Sequence, residues 1–174
     1  MERKLDVLAL AGILSLLIYA TDAGAQNQAR VDIQNAQGKG IGTASLRETK
    51  DGVVITVSVN GLPQGLHAVH IHSVGKCEGP AFTSAGPHFN PTNKKHGLKN
   101  PAGPHAGDLP NMYVEKNGVG RYEVMGDNIT LGSGETSIFD ADGSTIIIHA
   151  TADDNITDPA GNSGDRIACG VITK

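Results

Sequence analysis

Tryptophan is absent from this 174-residue chain, and aromatic residues make up only 3% of it. The apolar content is carried by Val, Ile, Leu and Ala, and the length allows one domain with a real core rather than two. Long basic runs are also missing: none exceeds two residues, as at Arg3-Lys4 and Lys94-Lys95, and the formal net charge is −4. Nucleic-acid binding thus has no electrostatic support. No G-x-S-x-G or H-E-x-x-H motif occurs, which removes the usual markers of a serine hydrolase or a zincin. The G-x-G-x-G at Gly38–Gly42 has no helix pattern after it and no phosphate-binding lysine, so it reads as a hairpin turn.

Long apolar runs are scarce as well. The longest, Val7–Ala20, falls short of the roughly 20 residues a membrane span needs. Arg3 and Lys4 precede it, and Ala23-Gly24-Ala25 offers a small-residue cleavage site. This is the pattern of an export signal over residues 1–25, with the domain over 26–174. Glu2 and Asp6 weaken the positive n-region, so an uncleaved anchor is the competing reading. Export would place the chain in a periplasmic, cell-envelope or extracellular setting, with no stable membrane association after cleavage. The sequons Asn128-Ile129-Thr130 and Asn155-Ile156-Thr157 carry meaning only in a eukaryotic source.

Only two cysteines exist, Cys77 and Cys169. In an exported protein such a pair favours a disulfide. It would close a loop of about ninety residues, for which chain entropy gives roughly 4–5 kcal/mol. Two thiolates on a metal are the alternative.

Glycine, by contrast, is plentiful, with 23 residues. It punctuates short β-branched segments, which fits an all-β domain. Strands are expected at Arg30–Gln34, Ile41–Leu46, Val53–Val59, Leu66–His72, Met112–Lys116, Val119–Met125, Ser144–Thr151 and Ile167–Ile172, with Asn117-Gly118 as a hairpin turn. Between Ser73 and Asn111 there is no usable periodicity and many Gly and Pro residues. Loops this long are functional or disordered. A second Gly- and Asp-rich loop covers Ala152–Asp165.

Seven histidines, at 67, 70, 72, 88, 96, 105 and 149, all fall within Gly65–Ala150. Packing does not require so many imidazoles in one region, and mixed His/Asp sets suit zinc and copper. On a strand, His70 and His72 point to the same face about 7 Å apart, close enough to converge on one ion. His67 points to the other face and reads as structural. His88, His96, His105 and Asp108 can wrap a small ion from an irregular loop, a closed set of structural type. His149 follows three isoleucines, where an unpaired imidazole is costly to bury.

The segments Gly65–His72, Cys77…Ser84-Ala85-Gly86-Pro87-His88-Phe89-Asn90-Pro91, His105-Ala106-Gly107-Asp108-Leu109-Pro110-Asn111 and Gly161-Asn162…Arg166-Ile167-Ala168-Cys169-Gly170-Val171-Ile172 closely resemble the copper/zinc superoxide dismutase family, in its order and near its spacing. The resemblance implies an eight-stranded Greek-key β-barrel or sandwich with two long functional loops. It implies one copper and one zinc ion per subunit, with superoxide as substrate. It matches His70, His72, His88 and His149 to copper, and His88, His96, His105 and Asp108 to zinc, with His88 shared. Arg166 matches the arginine at the mouth of the copper channel. Asp153 matches the carboxylate hydrogen-bonded to ligands of both metals, and His67 the structural histidine. Cys77 and Cys169 match the family disulfide.

The loop style and the signal look like secreted bacterial members. One departure concerns steering: Asp153–Gly161 carries no lysine and three acids, and Lys94 and Lys95 read as a solvated face. A homodimer is one of the states the family allows. Two other functional classes make different demands on the residues. A dismutase-like domain that only holds or delivers metal would lose copper ligands or the arginine, and a zinc hydrolase would need an open water position that Asp108 closes.

Overall fold

Alternation of buried and exposed residues runs along the first three strands, with Ala29, Val31 and Ile33, then Ala44 and Leu46, then Val53, Ile55, Val57 and Val59 turned inward. That period of two is what a sheet with one buried face requires. The computed structural model describes residues 27–174; the expected export signal lies outside the described residues.

The strands are β1 (Gln28–Asn35), β2 (Gly40–Thr49), β3 (Gly52–Val59), β4 (Gly65–His67), β5 (Val69–His72), β6 (Met112–Val114), β7 (Gly120–Gly126), β8 (Thr145–His149) and β9 (Arg166–Thr173). Their order is β4-β6-β7-β3-β2-β1-β9-β8-β5, with all pairs antiparallel. β4 and β5 are one strand interrupted at Ala68. The Ala68 N–H donates to Thr151 O and its carbonyl accepts from His149 N–H, both at 2.9 Å. The chain thereby changes partner from β6 to β8, and the sheet closes on itself as a Greek-key barrel. Counted this way, the nine segments are the eight expected strands. The strand expected to reach Lys116 stops at Val114, where Glu115 and Val119 begin the turn instead.

The isoleucines of β8 serve two cores. Ile146 and Ile148 face into the barrel. Ile147 faces out, against a small cluster of Phe82, Ala85 and Cys169 beneath the first long loop. Cys77 and Cys169 form a disulfide across 92 residues, which pins that loop to β9. The crossing segment after β7 is held by Glu48, whose carboxylate accepts from Thr130 Oγ1–H and from the Leu131 N–H, both at 2.6 Å.

Candidate metal centre

β5 alternates as its sequence requires: Val69 and Ile71 join the barrel core, and His70 and His72 point outward. They are nonetheless fully buried, because the first long loop packs over them. It does so through the edge of β5 that β8 leaves free. Ile71 N–H donates to Gly107 O at 2.8 Å, Phe89 N–H to Ile71 O at 2.8 Å and Ser73 N–H to Pro87 O at 2.9 Å. This pairing brings His88 beside His72, and Asp108 beside His70. The loop thus gains from a strand edge the order that its own sequence does not encode.

Four imidazoles meet there. The ring of His70 lies 4.1 Å from that of His88 and 4.9 Å from that of His149, and His72 lies 4.8 Å from His88. Three of them are oriented from behind. His72 Nδ1–H donates to Gly86 O at 2.9 Å, His149 Nδ1–H to Gly164 O at 3.1 Å, and His70 Nε2–H to Asp153 Oδ2 at 2.8 Å. The opposite nitrogens, His70 Nδ1, His72 Nε2 and His149 Nε2, together with His88 Nε2, are buried without a hydrogen-bond partner. Buried polar atoms are almost always paired, so four orphans on neighbouring rings mark a place for a cation. One ligand atom from each ring lies within 4.8 Å of the others. Burial pushes His70 down to about 3, His72 to about 2 and His149 to about 4, and it lowers His88 as well. The rings are therefore neutral at neutral pH and offer lone pairs.

A second set gathers on Asp108. Its Oδ1 lies 2.8 Å from His88 Nδ1, 3.0 Å from His96 Nδ1 and 3.3 Å from His105 Nδ1. Its Oδ2 accepts from the backbone N–H of Gly97 and His105. His105 Nδ1 is also 3.4 Å from His88 Nδ1. Three ring nitrogens crowding one carboxylate oxygen form a cage of nitrogen and oxygen donors suited to zinc. His70 also lies within reach of His88, His96 and Asp108, while His105 joins this set through the 3.3 Å approach of its Nδ1 to Asp108 Oδ1. Burial alone would raise Asp108, yet the hydrogen bonds of His105, His88 and His96 hold it well below the usual carboxylate range.

His88 belongs to both sets, with Nδ1 toward Asp108 and Nε2 toward the orphan cluster. Asp153 also spans them. Its Oδ2 faces His70 and its Oδ1 lies 3.0 Å from His96 Nε2. Between its two carboxylates His96 is raised to about 9, because the Asp108 and Asp153 hydrogen bonds outweigh burial. Close approach here depends on glycine: a Cβ on Gly161 (φ +63°) would collide with Asp153 Oδ1, and one on Gly97 (φ +110°) with Asn155 O.

Arg166 opens β9 opposite His149. Its Nη1–H donates to Phe82 O at 2.8 Å and its Nη2–H to Gly86 O at 2.9 Å. His67 lies apart, its ring nitrogens against His149 O and Pro63 O at 2.7 and 2.9 Å. Lys95 pairs with Asp158 at 2.9 Å on the surface. Two further groups touch these rings, Ser163, whose Oγ is 3.1 Å from His149 Nδ1, and the Gly86 carbonyl, which accepts from His72. Neither carries a signal in the residue pattern.

The family model described as copper/zinc superoxide dismutase matches residues 41–172. "Superoxide dismutase [Cu-Zn] 2" of Aquifex aeolicus (strain VF5) is 47% identical over 94% of this chain and 98% of that protein. The crystal structure of a SOD-like protein from Bacillus subtilis superposes with a TM-score of 0.80 at 41% identity, over 83% of this chain and 97% of that one. The Cu/Zn superoxide dismutase from Brucella abortus gives 0.70 at 26% identity, over 84% and 99%.

Proposed function

The chain belongs to the copper/zinc superoxide dismutase family, and on that premise we propose how its residues divide the dismutation of superoxide into oxygen and hydrogen peroxide. Copper would be held by His70 Nδ1 and the Nε2 atoms of His72, His88 and His149. Zinc would be held by the Nδ1 atoms of His88, His96 and His105 with Asp108 Oδ1. The observation that carries this reading is the set of four unpartnered buried nitrogens, one on each of the four copper-side rings. The residues present fit both ions. When bound, copper supplies the one-electron chemistry that zinc lacks.

The protein's own contribution is positional and protonic. Two superoxide anions and two protons give O2 and H2O2, so two protons have to reach the site: one can be held by a group near the anion and the other drawn from water. His88 Nε2 can hold the first whenever it is not serving as a ligand, while Nδ1 keeps its place on the zinc side. The Gly86 and Gly164 carbonyls fix His72 and His149 with Nδ1 protonated, and Asp153 fixes His70 with Nε2 protonated, so the free nitrogens face inward. Arg166 keeps its charge at any working pH and has five N–H donors. Its two bonds to Phe82 O and Gly86 O hold the guanidinium still and leave donors for a small anion.

Export of the chain, by a signal over residues 1–25 into a periplasmic or other extracytoplasmic space, is supported by the Cys77–Cys169 disulfide, which persists in oxidising compartments. Among the described residues no helix is long and apolar enough to cross a membrane. The retained four-histidine set and Arg166 favour an enzyme over a metal-holding relative.

The test is metal analysis of the purified protein together with a superoxide assay. We expect one copper, one zinc and fast turnover. Zinc alone, without activity after copper loading, would overturn the assignment.

A further inference from the structure

We infer that Asn111 is a positioning residue that clamps Asp153 and, through it, sets the geometry of both ligand sets; this rests on the metal roles proposed above. Asp153 lies in an irregular segment past β8, where no strand supplies partners for its backbone. The Asn111 side chain supplies both. Asp153 N–H donates to Asn111 Oδ1 at 2.8 Å, and Asn111 Nδ2–H donates to Asp153 O at 2.9 Å. Only one orientation of the amide satisfies both groups, so donor and acceptor are fixed by the backbone they meet. Asn155 also bonds to Asp153, through its N–H to Oδ1 and its Nδ2 to the carbonyl, but it belongs to the same loop and moves with it. Among the described residues, Asn111 is the one hydrogen-bond partner of the Asp153 backbone from outside that loop.

Asn111 is itself anchored to the barrel. Met112 begins β6 and pairs with His67. On the other side, Pro110 O accepts a 2.6 Å hydrogen bond from Tyr122 Oη–H. Asn111 therefore carries the rigidity of the barrel wall to a carboxylate 42 residues further along the chain. That carboxylate has no slack: Oδ2 is on His70 Nε2, Oδ1 is on His96 Nε2, and Gly161 packs against Oδ1. Any shift of the Asp153 backbone turns His70 and His96 together, one imidazole from each set. Asn111 also follows Asp108 by only three residues, so a single short segment supplies a zinc-side ligand and the clamp on the group that spans both sides. Aspartate could not donate to Asp153 O, glutamine is a methylene longer, and leucine would leave both backbone groups unpaired.

The experiment compares Asn111→Ala and the smaller polar change Asn111→Ser with the unmodified protein. Glu48→Gln, which weakens a latch remote from the metals, is the control. Copper(II) and zinc(II) affinities are measured by chelator competition, and cobalt(II) in the zinc-side set reports geometry by its visible absorption. Loss of a residue hydrogen-bonded directly to a ligand costs about 10–100-fold in metal affinity. One step further out, we expect about 3–10-fold for both metals, with altered cobalt(II) bands. In the metal-free protein the Asp153 amide should exchange with solvent faster. Glu48→Gln should lower the thermal midpoint and leave affinities and bands unchanged. Unchanged affinities and bands in both Asn111 variants, or a loss confined to one metal, overturns the inference. Amide exchange tests the clamp even if the unmodified protein takes up neither metal, a result that would remove the metal roles instead.

Discussion

His72 and Arg166 donate to the same oxygen, the carbonyl of Gly86, each at 2.9 Å. One backbone group therefore orients an imidazole proposed to hold copper and the cation proposed to receive superoxide. Removing the guanidinium should lower kcat/KM by about a hundredfold, the scale seen when one oriented donor is lost at a reacting anion. Arg166→Lys should lie between, because an ammonium keeps the charge but cannot bond two carbonyls in a plane. Steady-state kinetics at equal copper content checks this. A lysine variant as active as the parent would mean that charge alone suffices.

Much of the fold is legible in the residue pattern, because the barrel faces obey a period of two and the turns carry Gly and Asn. The isoleucines at 146–148 announce a strand buried on both sides. The pattern does not reveal that the outer cover is the disulfide loop. Alternation separates His67 from His70 and His72 for the reason the structure displays, opposite faces of one strand. The partner switch at Ala68 leaves no trace, since alanine fits either pairing. The convergence of His88, His96, His105 and Asp108 is equally invisible to periodicity. It depends on the loop pairing with the free edge of β5, a contact between backbones that no side chain advertises. In the sequence, Asp153 is marked only by resemblance to the family.

Loss of a ring proposed to hold copper should separate the two proposed ion sites. His72 takes no part in the Asp108 set, so His72→Ala should abolish turnover while zinc remains bound at parental stoichiometry. Atomic absorption and a dismutation assay on the same sample read both. His96→Ala removes a ring held by both Asp108 and Asp153, and should make the 73–111 loop susceptible to limited proteolysis. A protease-resistant loop in that variant would contradict the zinc-side role.

The disulfide closes a loop with a sequence separation of 92 residues, for which the chain-entropy model gives about 4–5 kcal/mol. Cys77→Ser with Cys169→Ser should lower stability by up to that amount in urea unfolding of the metal-free protein. The loop it pins carries Phe82 and Gly86, the two acceptors of Arg166. Turnover of the metal-loaded double variant should therefore fall as well, with the metal content held.

The metal-free protein should be most stable near pH 6.5 and weaken on both sides. His70, His72 and His149 have folded-state values of about 3, 2 and 4, below the 6.5 of the unfolded chain. On acidification the unfolded state takes up their protons first, so stability drops as pH falls from 6.5 toward 4 and below. His96 behaves oppositely. Its value near 9 means that the protonated ring between Asp108 and Asp153 stabilises the fold fully below pH 6.5. That contribution disappears as pH rises through 9. Thermal midpoints between pH 4 and pH 9 should trace a dome, and zinc should flatten its alkaline limb, because the ion replaces the His96 proton as the positive charge facing the carboxylates. A midpoint that rises steadily to pH 9 without metal would show that His96 is not held between the two carboxylates in the free protein.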